Sequence, residues 1–138
     1  MGGFVLGSDA KFAISPGRGR KPDIAVFLPG GGVPPRWGVI PTPPDLMVEV
    51  VSPTPRDGRR DRIHKMDDYA AFGVRFYWIV DPELRSLELF ERNREGRYTR
   101  MLAAAEGRID RVPGCDGLVL DLDDLWADVD RLPPEPPA

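Results

Sequence analysis

Two residue types that build many enzyme sites are nearly missing from this 138-residue chain, which has one cysteine, Cys115, and one histidine, His64. A single cysteine excludes an intrachain disulfide and agrees with a reducing, cytoplasmic setting. A single histidine removes most zinc sites and leaves a Ser-His-Asp triad a poor fit. No apolar run approaches the roughly 20 residues of a membrane-spanning helix. The opening "MGGFVLGSDAK" lacks the charged-then-apolar plan of a signal peptide. Positive charge is not in excess either: 19 Lys and Arg stand against 22 Asp and Glu, a net charge of −3. No global basic field therefore advertises a nucleic-acid partner, although local patches remain open. What the chain has in quantity is proline, 16 residues, and glycine, 15, which points to long loops and short elements. The length suits one core, so residues 1–130 are expected to form a single domain. The closing 131–138, ending "LPPEPPA", is expected to be a disordered proline-rich tail.

The element pattern is mixed. "GFVL" and "KFAI" read as two short strands making a hairpin around Gly7-Ser8-Asp9, and Asp23–Leu28 as a stronger strand. A loop, Pro29–Pro44, holds six prolines and four glycines and is long enough to be a flexible connection or a binding loop. Asp45–Val51 reads as a strand, Asp61–Phe72 as a helix stopped by Gly73, and Phe76–Val80 as a central strand covered on both faces. That strand–helix–strand order makes a βαβ unit with parallel strands and a right-handed crossover. "SLELFER" and "YTRMLAA" read as an antiparallel pair, "LVLDL" as a last strand and "DDLW" as a short helical turn. The fold class is thus α/β (α+β), a mixed sheet with at least one helix packed on it.

One residue resists this plan. In "PDLMVEVVSP" (Pro44–Pro53) Glu49 stands among Met47, Val48, Val50 and Val51, inside a run that otherwise suits a sheet interior. A carboxylate buried there must be paired, protonated or bound to a metal. Asp23, following Pro22, stands at the edge of another apolar strand. Two carboxylates converging at one end of a sheet repel each other unless a proton or a divalent cation lies between them. With no histidine or cysteine cluster, hard oxygen ligands favour Mg²⁺ or Mn²⁺ over zinc. The helix offers a third member. Taking Ile63 as the origin of its wheel, Lys65 falls at about 200°, between Phe72 at about 180° and Tyr69 at about 240°, inside the apolar arc. Asp23, Glu49 and Lys65 are thereby expected to form one cluster. On residue types alone a structural ion bridge between Glu49 and Lys65 or an arginine is the plainer reading. Asp23 alone suits a turn at a strand entry, and Lys65 alone a lysine with its stem on the core. Asp45 also follows a proline, but lies about 13 Å along the strand from Glu49 at ~3.3 Å per residue, too far to share an ion. Tyr69 and Trp78 are expected in the core, His64 in solvent and Cys115 in a loop without chemistry.

The Pro-Asp, strand Glu and helix Lys order resembles the PD-(D/E)XK nuclease superfamily. More narrowly, "KPDIAVF", "PDLMVEVVSPTP", "DRIHKMDDYAAFGV", "YWIVDP" and "GLVLDLDDLW" resemble, in matching order from Lys21 to Trp126, the Uma-two family of restriction endonucleases. The resemblance implies a restriction-endonuclease-like mixed sheet flanked by helices and metal-dependent cleavage of phosphodiesters. The family's lysine often stands two residues after the glutamate; here Val51 stands there, which implies a migrated lysine, Lys65, entering from the following helix. The pattern also implies a further N-terminal segment with a helix and another acid, where this chain has 22 residues before Asp23, and an acid before "YW", where this chain has Phe76.

On that resemblance Asp23, Glu49 and the backbone carbonyl of Val50 hold Mg²⁺ or Mn²⁺, and Lys65 orients water and stabilises charge at phosphorus. DNA is the implied partner, gripped by Arg20, Lys21, Arg56, Arg59 and Arg60, two basic stretches that flank the acidic site. The alternative for those stretches is a solvated charge run. The six aspartates from Asp116 to Asp130 are expected to face away from nucleic acid. A homodimer fits nucleases that cut both strands. A different class stays open: a catalytically silent relative that keeps the fold as an interaction module.

Overall fold

The computed structural model describes residues 2–51 and 58–133, with backbone only at 58–61. Its strands are β1 (Phe4–Leu6), β2 (Phe12–Ser15), β3 (Arg18–Arg20), β4 (Ile24–Phe27), β5 (Leu46–Val50), β6 (Phe76–Asp81), β7 (Ser86–Arg92), β8 (Tyr98–Ala104), β9 (Arg108–Ile109) and β10 (Leu120–Asp121). Helix α1 (Gly58–Phe72) lies between β5 and β6, and α2 (Leu122–Asp130) follows β10. Six strands form the main sheet in the order β1-β4-β5-β6-β7-β8. Only β5 and β6 pair in parallel; the other neighbours are antiparallel. The mixed sheet and the strand–helix–strand unit expected from the sequence are present.

Alternation of side chains splits the apolar residues between two faces. Leu46, Val48, Phe76, Trp78, Leu87 and Leu89 share one face, closed by Leu122 and Trp126 of α2. Ala25, Phe27, Met47, Tyr77 and Ile79 share the other, closed by Tyr69 of α1 with Phe12 and Ile40. β6 contributes buried residues to both faces, as a doubly covered central strand does.

Helix α1 starts at Gly58, three residues before the expected Asp61. Its end matches expectation. Gly73 takes φ +101°, its N–H donates to the Ala70 carbonyl, and the Val74 N–H donates to the Tyr69 carbonyl, the two bonds of a Schellman stop. Arg92 Nε donates to the same Ala70 carbonyl from β7. Ile63, the origin of the wheel, is 58 % exposed.

Three other expectations need correction. β1 and β2 are not partners in a hairpin: β1 pairs with β4 and β2 with β3. The Pro16-Gly17 dipeptide, with Gly17 at φ +73°, makes the tight turn that returns the chain from β2 to β3. The Pro29–Pro44 loop is anchored, since Ile40 bridges to Phe12 and is buried. "LVLDL" is strand only at Leu120–Asp121, because Asp121 accepts from the Asp124 N–H and so becomes the N-cap of α2, which runs nine residues rather than one turn. Of the expected tail, 134–138 lie outside the described residues.

The core assignment carries a stability prediction. Leu89→Ala, at a 1 % exposed position, should lower the unfolding free energy by about 2–5 kcal/mol. Ile63→Ala should change it by no more than about 0.5 kcal/mol. Urea titrations of both variants check this, and equal losses would contradict the packing described.

Candidate functional site

The geometry of the site starts from strand register. β4 and β5 pair Ile24 with Val48, Ala25 with Met47 and Val26 with Leu46, so paired residue numbers sum to 72. Asp23 immediately precedes Ile24 and Glu49 immediately follows Val48, so the two acids stand at the same end of the ladder. Glu49 alternates with Val48 and therefore projects toward α1. Asp23 lies close enough for its charge to act on Glu49. Asp23 is further fixed by its own strand neighbour, since its Oδ2 accepts from the Val50 N–H at 2.7 Å. The 26 residues between the acids are bridged by pairing rather than by proximity in the chain.

Helix α1 supplies the other side. Lys65 and Tyr69, four apart and hence on one helix face, each reach a different oxygen of Glu49. Lys65 Nζ lies 3.3 Å from Oε2 and the Tyr69 hydroxyl donates to Oε1 at 2.8 Å. Glu49 is 8 % exposed and Tyr69 fully enclosed. Burial pushes the Glu49 carboxyl above its ordinary range, and the charge of Asp23 pushes the same way; the Tyr69 hydrogen bond and the Lys65 charge pull it down without cancelling the rise. Burial and the adjacent Glu49 charge likewise push the Tyr69 phenol well up, so the hydroxyl stays a donor.

Asp23, Glu49 and Lys65, picked out from sequence, are thus brought together. Tyr69 was read only as core; its spacing from Lys65 and its hydroxyl are the signals that mark it as part of the site. The basic residues divide differently. Lys21 is exposed, and Arg18 is half-exposed with its guanidinium 3.3 Å from Asp68. Arg20 is part-buried and donates to Asp68 at 2.7 Å, so part of its charge is spent on α1 rather than on the rim. Arg56 and the side chains of Arg59 and Arg60 lie outside the described residues. Asp45 accepts from the Leu28 N–H at 2.7 Å and belongs to the loop, not to the acidic pair. His64 is exposed. Burial raises the Cys115 thiol pKa, which suits an inert side chain. Asp121–Asp130 sit at α2, on the sheet face opposite α1. Among the described residues no helix is long and apolar enough to cross a membrane.

A family model described as "Uma2: Putative restriction endonuclease" matches residues 1–123. No curated protein matches the chain. A solved structure titled as a putative nuclease belonging to DUF820 from Anabaena variabilis superposes with a TM-score of 0.63 at 16 % identity, covering 91 % of this chain and 68 % of the other. At that identity the likeness concerns the fold, a mixed sheet with helices in both proteins.

The raised Glu49 pKa has a sign that can be measured. In the folded protein the carboxyl holds its proton to higher pH than in the unfolded chain. Its contribution to stability is present below the ordinary carboxylate value of 4.5 and is lost as pH rises through the folded pKa. In EDTA, Glu49→Gln should match the parent near pH 4 and exceed it by a gap that opens as pH rises above 4.5 and levels off once pH has passed the folded pKa. Urea midpoints at several pH values check this, and a gap that stays constant with pH would contradict it.

Proposed function

The chain belongs to the Uma2 family, and from that membership we propose that it is a DNA endonuclease that hydrolyses phosphodiester bonds with Mg²⁺ or Mn²⁺. The observation that carries the reading is the meeting of two strand carboxylates and a helix ammonium in one spot. Among the described residues no three His, Cys, Asp or Glu groups come close enough to enclose a metal ion. Two carboxylates suit a hard cation that keeps several waters and borrows oxygens from a substrate phosphate, which is how Mg²⁺ is commonly held. The donor set therefore fits. Asp23 and Glu49 would hold the ion, with the Val50 backbone carbonyl as a further oxygen. A bound divalent cation supplies Lewis-acid polarisation of a phosphoryl oxygen and lowers the pKa of an attached water.

The protein's own groups do the rest. The Val50 N–H keeps the Asp23 carboxylate turned toward the site. Lys65, part-buried beside Glu49, presents a positive charge to the negative charge that grows at phosphorus and orients the attacking water. Lys21, with Arg56, Arg59 and Arg60, contacts the backbone phosphates, while Arg20 acts mainly through its bond to Asp68. The second reading, a silent relative used for interaction, is favoured by one observation: among the described residues no third acid joins Asp23 and Glu49 to enclose a metal ion.

Nicking of supercoiled plasmid separates the two readings. The parent should cut with Mg²⁺ or Mn²⁺ and stop in EDTA. Glu49→Ala should abolish cutting, and Lys65→Ala should slow it by about 10²–10³-fold, the usual cost of removing one group that stabilises transition-state charge. No cutting by the parent with either ion supports the silent reading, and an undiminished rate in Glu49→Ala overturns the assigned site.

A further inference from the structure

We propose that Tyr69 is a positioning residue of this site: its hydroxyl fixes the Glu49 carboxylate in the orientation in which it can bind a divalent cation. The inference rests on the reading of Glu49 as a metal ligand and adds to it a residue outside the acid–acid–lysine set.

Three observations support it. First, the two oxygens of Glu49 are divided between two donors, Oε1 to Tyr69 and Oε2 to Lys65, so rotation about the last side-chain bond breaks both contacts at once. Lys65 by itself does not fix that angle, because an ammonium on a flexible stem follows the charge wherever it turns. A phenol on a rigid ring does fix it.

Second, the ring that carries the hydroxyl is itself immobilised. Tyr69 meets Tyr77 edge-on at 5.4 Å, and Tyr77 stacks on Tyr98 at 5.5 Å. Tyr98 is tied down by donating to the Val74 carbonyl at 2.7 Å. Three rings thus run from β8 across β6 to the carboxylate. A ring wanted only for packing is served as well by phenylalanine; here the polar atom of the ring meets the charged atom of the wall.

Third, the register of α1 against the sheet is fixed at the neighbouring residue. Asp68 takes Arg20 at 2.7 Å and Arg18 at 3.3 Å, both from β3, on the side of the helix next to Tyr69. The helix is thereby held where its tyrosine reaches β5. Groups that orient a metal ligand from behind typically change metal affinity by about 10–100-fold when removed.

The test uses the full chain and Mn²⁺ as the probe, with binding read by isothermal titration and folding by circular dichroism. Tyr69→Phe removes one oxygen and keeps the ring stack. Its Mn²⁺ dissociation constant should rise about 10–100-fold while its secondary structure is retained. Placing p-aminophenylalanine at position 69, which returns a donor to the same place, should recover most of the affinity; it also serves as the informative variant if phenylalanine is poorly folded. A purely packing role, which phenylalanine serves as well, leaves the Mn²⁺ affinity of Tyr69→Phe unchanged. A dissociation constant within about twofold of the parent therefore overturns the proposal. Glu49→Ala separates the two levels of the argument. If the parent binds, Glu49→Ala does not, and Tyr69→Phe binds like the parent, only the tyrosine role fails. If the parent itself does not bind, the metal reading and this inference fall together.

Discussion

A carboxylate enclosed in an apolar wall is tolerable only when donors meet it, and the structure around Glu49 is arranged to bring them. Desolvation acts against the ionised form, and the nearby Asp23 adds to the strain. Tyr69 and Lys65 offset part of that cost from α1, so the helix must dock with one particular stripe against β5. The Schellman stop at Gly73, the Asp68 pair with Arg18 and Arg20, and the stack of tyrosine rings all restrain that docking. Without them an ammonium and a phenol would have no reason to arrive at the same carboxylate.

This arrangement splits the sheet by duty. The face under α2 is apolar through Leu46, Val48, Trp78 and Leu89, with Trp126 closing it and donating from its indole N–H to the Ala105 carbonyl. The face under α1 carries the same kind of packing except at one end, where Glu49 of β5 stands with Asp23, the residue just before β4. A buried carboxylate thus interrupts one core at a single edge, while the other core is closed by apolar residues.

Much of this is legible in the sequence itself, and the reasons are specific. Glu49 could be noticed because one carboxylate interrupts a run of Met and Val, and Lys65 because its wheel position falls between Tyr69 and Phe72. The parallel pairing of β5 and β6 followed from the helix between them. What escaped was settled by partners distant in the chain. Nothing in "GFVL" says that it pairs across Val26 rather than with "KFAI", although Pro16-Gly17 was a turn signal for the second strand's true partner. Arg20 reads as a surface charge until Asp68, 48 residues away, is placed against it. Tyr69 was assigned to the core correctly, but its hydroxyl could not be credited without knowing that Glu49 lies beneath it.

The ladder between β4 and β5, and not the sixteen residues of Pro29–Pro44 that join them, fixes how far apart the two acids stand. Their separation is insulated from whatever happens in that connection, provided Ile40 keeps its seat beside Phe12. The outer part of the loop can then be lengthened, shortened or exchanged without moving Asp23 relative to Glu49.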